Sequence, residues 1–196
     1  MVKRLFDIVL SFSALLVLLP VFVVIVVLIV LSDGLPVFYK QQRIGLNHKA
    51  FGLFKFRTMV KNADKSGKIT IGKKDSRVTT IGHLLRKTKF DEFPQLLNII
   101  KGEMSIVGPR PEVEEYVNLY KVEHQKVLSV KPGLTDYASI EYSNESELLG
   151  ASVNPHETYI NVVMPAKLSL NLKYIEEKGI ITDLKIIFRT MAKIWT

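Results

Sequence analysis

Residues 8–31 read IVLSFSALLVLLPVFVVIVVLIVL, 24 positions interrupted only by Ser11, Ser13 and Pro20. As one helix the run would measure roughly 36 Å, against about 30 Å of bilayer hydrocarbon. Val21 to Leu31 is apolar on every face, which a soluble core helix is not. The run is too long for the apolar part of a secretory signal, and no A-x-A-like cleavage site follows Leu31. The segment therefore belongs in a membrane. Pro20 divides it, because proline donates no N–H and clashes with the carbonyl four residues earlier. Each arm of about 12 residues would be roughly 18 Å long and reach only mid-bilayer. Lys3 and Arg4 precede the run, and Lys40, Arg43, Lys49, Lys55 and Arg57 follow it. Basic flanks favour the cytoplasmic side, so both ends favour the same face. The residues leave two topologies open: a re-entrant helix broken at Pro20, or a kinked single span.

Outward from this segment, the 196-residue chain has room for one further domain of ordinary size. Its lack of Cys excludes a disulfide framework, thiolate metal sites and cysteine nucleophiles. The net charge of +8 is unevenly spread. Residues 1–39 are neutral; residues 40–90 hold 14 Lys/Arg against Asp64 and Asp75; residues 91–196 hold 11 Lys/Arg against 15 Asp/Glu. A basic block beside an acidic remainder fits either a solvated surface or an anionic partner. Nucleic acid is not expected, since the block carries no DNA- or RNA-binding motif.

The turn cluster Asp33-Gly34-Leu35-Pro36 ends the membrane segment. Two strands are expected over Val37–Arg43 and Phe51–Met59, joined by a turn at Gly45–His48. Lys55 and Arg57 would share one face of the second strand. The polar stretch Asn62–Thr80 reads as a long loop. A short helix over Ile81–Lys87, capped by Thr79 or Thr80, would turn Leu84 and Leu85 inward. A second helix would open near Thr88–Asp91 and stop at Gly102. A strand at Met104–Val107, a helix from Pro111 to about Leu128, and helices from Pro155 to Lys178 with an interruption at Pro165 would complete the body. Lys185, Arg189 and Lys193 stripe a final helix that ends in Trp195. Such a helix fits either a lipid interface or a core-facing position with snorkelling lysines. The expected fold is α/β (mixed α+β): a mostly helical soluble domain over 35–196 with a short β-hairpin or small sheet, on a membrane helix at 1–34.

Few residues can carry chemistry. The four histidines lack metal-ligand spacing, and there is no G-x-S-x-G elbow, P-loop or dinucleotide glycine fingerprint. The pair Asp91-Glu92 stands out because it directly follows the block at 40–90, with its 14 Lys/Arg and only two acids. At a helix start the dipole favours ionised carboxylate, so Asp91 is a candidate nucleophile. Two adjacent carboxylates also suit Mg2+ when substrate phosphates complete its shell. The alternative for Asp91 is a simple helix cap. Arg86 lies five residues earlier, Arg110 is held between Pro109 and Pro111, and Lys55 and Arg57 add positive charge. Cations and a carboxylate pair beside a membrane segment point to phosphoryl chemistry on a lipid-borne substrate. A membrane-tethered binder without chemistry and an inactive scaffold are the other classes these features admit.

The motifs Lys55-Phe56-Arg57-Thr58-Met59, Asp91-Glu92-x-Pro94-Gln95-Leu96, Lys101-Gly102-x-Met104-Ser105-x-Val107-Gly108-Pro109-Arg110-Pro111-Glu112 and Lys131-Pro132-Gly133-Leu134-Thr135 occur in that order. Together they resemble the bacterial sugar transferase family, small monotopic phosphoglycosyl transferases that initiate surface glycan, exopolysaccharide and glycoconjugate synthesis. The resemblance covers nearly the whole chain, through Asp183-Leu184-Lys185. It implies that Asp91 attacks a UDP-sugar, releases UMP and holds a phosphosugar that a polyprenol phosphate, such as undecaprenyl phosphate, then collects. It implies that Glu92 helps Asp91 to position Mg2+, and that Arg57, Arg86 and Arg110, with Lys55, hold phosphates. It also implies a re-entrant helix, a catalytic domain on the cytoplasmic face of the inner membrane, and downstream glycosyltransferases as partners. Two positions depart from the family pattern. Leu19 replaces a serine that often precedes the helix-breaking proline, and Asp136–Ser143 lacks the usual Gly-Trp/Leu-Ala-Gln-Val-Asn-Gly-Arg stretch.

Overall fold

A computed structural model describes residues 2–63 and 75–195, without the side chains of Ile194 and Trp195. Most of the expected loop at 62–80, and the terminal Trp195 ring, therefore lie outside the described residues.

Helix α1 spans Val2–Asp33 and contains Pro20. The expected break does not interrupt it: the helix continues across Pro20. A membrane helix can absorb the one hydrogen bond that proline removes. By length and composition α1 can cross a bilayer. Phe12, Leu16, Val17, Leu19, Val23 and Val24 are exposed on its outer faces. Its inner face packs along the domain over its whole length. Near the start, Lys3 Nζ donates to Asp183 at 2.5 Å and to the Val107 carbonyl at 3.1 Å. Arg4 donates to the carbonyls of Ile99 and Ile100, and Asp7 accepts from Ser105 Oγ and the Ile106 N–H. Near the end, Ile25 and Ile29 form a cluster with Val37, Phe56 and Leu85. Both ends of one apolar helix are thus fixed to the same domain.

Strands β1 (Phe38–Ile44) and β2 (Ala50–Phe56) form the expected antiparallel hairpin, with Lys40 opposite Phe54. Helix α2 (Thr80–Thr88) is capped by Thr79, whose hydroxyl accepts from the Gly82 N–H at 3.0 Å. Of its two expected core leucines only Leu85 is buried; Leu84 faces outward. Adjacent residues on a helix point about 100° apart, so a narrow contact takes one of them. Helix α3 (Gln95–Lys101) ends where expected, at Gly102 with φ 90°. Strand β3 (Ser105–Val107) pairs in parallel with β4 (Gly133–Thr135), a strand whose three residues are too few to show a period. The helix expected from Pro111 reduces to α4 (Glu114–Val117) followed by a 3-10 segment over Val122–Ser129.

Helices α5 (Tyr137–Glu141), α6 (Glu145–Gly150) and α7 (Pro155–Thr158) follow β4. From α7 the chain passes through a π-helical turn at Tyr159–Val163 into α8 (Met164–Glu177). The interruption expected at Pro165 is this turn, in which the hydrogen-bond ladder shifts register just before the residue that has no N–H. Helix α9 (Ile180–Trp195) buries Ile186 and Asp183 and exposes Ile181, Phe188 and Met191. The main core joins β2, α3, β3 and α8 through Leu53, Ile99, Met104, Val107 and Leu168.

The two strands β3 and β4 touch through glycines. A Cβ on Gly133 would collide with the backbone of Gly108, and one on Gly108 would meet the Lys131 carbonyl. Gly133→Ala should cost about 1–3 kcal/mol through overpacking. The check is thermal unfolding, in which Tm drops by several degrees while Gly179→Ala, whose Cβ would meet only the Glu177 carbonyl at 4.0 Å, leaves it nearly unchanged.

Candidate active site

The site begins where α2 ends. Lys89 closes that helix in the left-handed conformation at φ 60°, and the chain makes one 3-10 turn, Phe90–Glu92, before α3. This abrupt reversal sets Asp91 and Glu92 inside the domain rather than along a helix face. Asp91 is 7% exposed. The dipole of a helix start was expected to favour its ionised form. Instead, burial and then the negative charge of Glu92 push its carboxyl up to about 6, against the pull of Lys55, Arg86 and Lys89.

Glu92 is held in the opposite state. Both Nη atoms of Arg110 donate to its two oxygens, a bidentate fork, and Lys55 Nζ donates to Oε1 at 3.2 Å. Although burial opposes it, the charges of Arg110 and Lys55 hold this carboxyl well below the usual range. Burial in turn pushes the Lys55 ammonium down, with Glu92 opposing. Two adjacent carboxyls are therefore driven apart: Glu92 is a fixed anion, and Asp91 changes charge near neutrality.

Each cation reaches the site from a different element. Lys55 projects from β2. Arg110 leaves β3 between two prolines, and its own N–H donates to Asp136 at 3.1 Å. Asp136 is fully buried and also caps α5 by accepting from the Ser139 N–H. The divergent segment Asp136–Ser143 thus begins with the residue that steadies Arg110. Arg86, in the last turn of α2, donates from Nε to Thr58 Oγ1 at 2.9 Å, and the charge of Asp91 acts on it. Arg57 is turned elsewhere: it donates to the carbonyls of Asp33 and Gly34 at 2.8 and 2.7 Å, closing the end of α1. Strand alternation put Lys55 and Arg57 on one face, but β2 ends at Phe56, so the second cation is free to leave that face.

Three supports were not legible in the sequence. Asn98 is fully buried; its side chain accepts from Phe54 N–H and donates to the Gly52 carbonyl and Glu103, tying α3 to the hairpin. Glu112, expected at a helix start, turns inward to accept from Arg43 at 2.9 Å and from the Tyr159 hydroxyl. Tyr159 opens the π-helical turn, a feature that often accompanies functional sites. Only the Asp136 cap followed a readable rule, an Asp immediately before a helical run.

Among the described residues no three His, Cys, Asp or Glu side chains gather as a metal cage. The Asp91-Glu92 pair fits a hard cation in the other way, with two carboxylates plus substrate oxygens. Glu92 retains acceptor capacity beyond its bonds to Arg110 and Lys55, because an ionised carboxylate has about four lone-pair positions.

A carboxylate dyad among arginines and a lysine thus lies in the same domain as an apolar helix long enough to cross a bilayer. The chain belongs to the bacterial sugar transferase family, whose model matches residues 1–196. It is 36% identical over 207 residues to the exopolysaccharide production protein ExoY of Sinorhizobium fredii, covering 98% of this chain and 84% of that one. It is 35% identical over 201 residues to the UDP-glucose:undecaprenyl-phosphate glucose-1-phosphate transferase of Escherichia coli, covering 98% of this chain and 40% of that longer protein. The UDP-N-acetylgalactosamine-undecaprenyl-phosphate N-acetylgalactosaminephosphotransferase of Aeromonas hydrophila is 31% identical over 198 residues, with coverages of 100% and 44%.

Proposed function

We propose that this enzyme transfers a sugar-1-phosphate from a UDP-sugar to a polyprenol phosphate through a covalent intermediate on Asp91. The observation that carries the proposal is the split state of the dyad. Glu92 is clamped by Arg110 and Lys55, which leaves Asp91 as the carboxyl without a clamp. Relatives named as undecaprenyl-phosphate sugar-phosphate transferases supply the substrate classes.

An Asp91 carboxylate oxygen attacks the β-phosphorus of the UDP-sugar. The bond from that phosphorus to the bridging oxygen breaks, UMP leaves with the electron pair, and the phosphosugar is esterified to Asp91. A phosphate oxygen of the polyprenol phosphate then attacks the same phosphorus. The acyl phosphate bond breaks, giving a polyprenol diphosphate sugar and the free carboxylate. Arg86 and Lys55 offset negative charge on the transferring group, and Arg110 keeps Glu92 ionised and fixed. Mg2+, held by Asp91, Glu92 and diphosphate oxygens, would supply Lewis-acid charge neutralisation. Burial of Asp91 excludes water from the intermediate.

The intermediate can be trapped. Incubating the purified chain with UDP-sugars and Mg2+, without acceptor, should add one sugar-phosphate mass to the peptide containing Asp91, in step with UMP release. Release of UMP only when acceptor is present, with no adduct, would replace the two-step reaction by direct transfer.

The reading includes topology. Both ends of α1 are fixed to one domain, which favours a re-entrant helix, one that bends at Pro20 while its helical ladder continues, with the catalytic domain on the cytoplasmic face of the inner membrane and α9 on the lipid surface. In a chain without native Cys, Val2→Cys and Lys49→Cys in intact cells should both resist a membrane-impermeant thiol reagent and react after permeabilisation. Labelling of Val2→Cys alone from outside would make α1 a span.

A further inference from the structure

We propose that Arg4 and Lys131, meeting above Gly102 at the amino-terminal end of α1, form a seat for the phosphodiester of an anionic phospholipid. This seat rests on α1 lying in a bilayer and not on the transfer chemistry, because it belongs to the β3 end of the domain rather than to the dyad.

Gly102 closes α3 at φ 90° with no side chain. The point where its Cβ would stand lies 3.3 Å from Arg4 Nη2 and 3.6 Å from Lys131 Nζ. Two cationic nitrogens therefore converge on one small space, no further apart than the sum of those distances. Like charges so close repel unless an anion lies between them. Burial and then the charge of Arg4 push the Lys131 ammonium below its usual value, against the weaker pull of Asp7. The acids nearby are already engaged: Asp7 accepts from Ser105 and the Ile106 N–H, and Glu103 accepts from Asn98. Lys131 has no hydrogen-bond acceptor or ion-pair partner among the described residues. Arg4 spends one N–H of each Nη on the carbonyls of Ile99 and Ile100, so three of its five donors remain.

The position selects the source of the anion. Val2, Leu5 and Val9, spaced for one helix face, are 67%, 65% and 56% exposed, so lipid-compatible surface begins beside Arg4. A phosphodiester at the end of an apolar helix lies at the headgroup level. It offers two non-bridging oxygens, one for the guanidinium and one for the ammonium, while its acyl chains run along Leu5 and Val9. A free phosphate would satisfy the cations but gain nothing from that apolar face.

The test uses the full chain purified in a neutral detergent, with dihexanoyl phosphatidylglycerol, dihexanoyl phosphatidylcholine and inorganic phosphate as three separate probes. Native mass spectrometry should show one retained phosphatidylglycerol, and that lipid should raise Tm more than the other two probes. Lys131→Gln should weaken phosphatidylglycerol binding about tenfold, as expected for a lost charge-assisted bond, and Lys131→Arg should restore it. Lys121→Gln, at an exposed lysine outside α1 and α9, should bind as the native chain does. Equal binding by the native chain and Lys131→Gln would overturn the seat. So would inorganic phosphate matching phosphatidylglycerol, which would mark a general anion site. UMP release from the same preparations reports the transfer reading separately, so either reading can fail alone.

Discussion

Asp91→Asn should abolish UMP release and raise the melting temperature in the same preparation. The two effects have one cause. The buried Asp91 carboxyl titrates near 6, above its ordinary 3.8, so the folded protein binds its proton more tightly than the unfolded chain does. The sign follows directly. Below about 4 the group is neutral in both states and has no effect. Between about 4 and 6 the unfolded chain releases the proton that the folded protein still holds, so stability falls across that window and stays at the lower level above it. A shift of roughly two units corresponds to about 3 kcal/mol at most at pH 7.5. The amide is neutral at every pH and escapes this cost, so Tm should rise by up to roughly 10 °C for a chain of this size. The gain should vanish when both proteins are melted near pH 4 in chelator. A lower Tm for Asp91→Asn at pH 7.5 would show that the carboxylate is stabilising. The native enzyme's kcat/KM should fall as pH drops below 6, because the attacking group is then protonated.

Removing the clamp has the second large effect. Arg110→Ala leaves Glu92 buried with only Lys55 at 3.2 Å. Breaking one side of a buried ion pair costs about 3–5 kcal/mol, because the remaining charge is left uncompensated. Activity should fall by about 10–100-fold, the usual cost of losing a partner that orients a ligating carboxylate. The pH profile separates this role from mere destabilisation. With Arg110 gone, the Glu92 charge acts on Asp91 with less compensation, so the acid limb of kcat/KM should move to higher pH. Arg110→Lys keeps the charge but loses the two-pronged geometry, and should fall between the native enzyme and Arg110→Ala. An unmoved acid limb in both variants would dissociate Glu92 from the titration of Asp91. The same variants should lose Tm in the order Ala more than Lys.

Local signals carried the parts of this fold that depend on few neighbours. The apolar run, the hairpin, the Thr79 cap and the Gly102 stop each follow from a handful of adjacent residues. What depended on distant partners was not legible. Strand β4 exists because Gly108 and Gly133 let two backbones approach, and three residues hold no periodic pattern. The helix expected after Pro111 fails because Glu112 finds Arg43 and Tyr159 instead of a helix terminus. At the site, Asp91, Glu92, Arg86, Arg110 and Lys55 were each identifiable, and the structure brings Glu92, Arg110 and Lys55 into direct contact. Arg57 lies at the end of α1, a placement that strand alternation alone could not reveal. The reversed charge preference of Asp91 was equally hidden, since burial is a property of the assembled domain.

The bond between Lys3 and Asp183 joins residues 180 positions apart. During synthesis the apolar helix is made well before its anchoring carboxylate. At about 5–20 residues per second the interval is on the order of 10–40 s. Throughout it the first turn of α1 has no partner at Asp183, and Ile99, Ile106 and Val107, which also receive Lys3, Arg4 and Asp7, arrive only midway. In the topology proposed above, lipid holds the helix before protein does. Truncation before residue 183 should leave the first turn of α1 without its Asp183 partner, so that a Lys3→Ala change lowers the Tm of the native chain more than that of the truncated one.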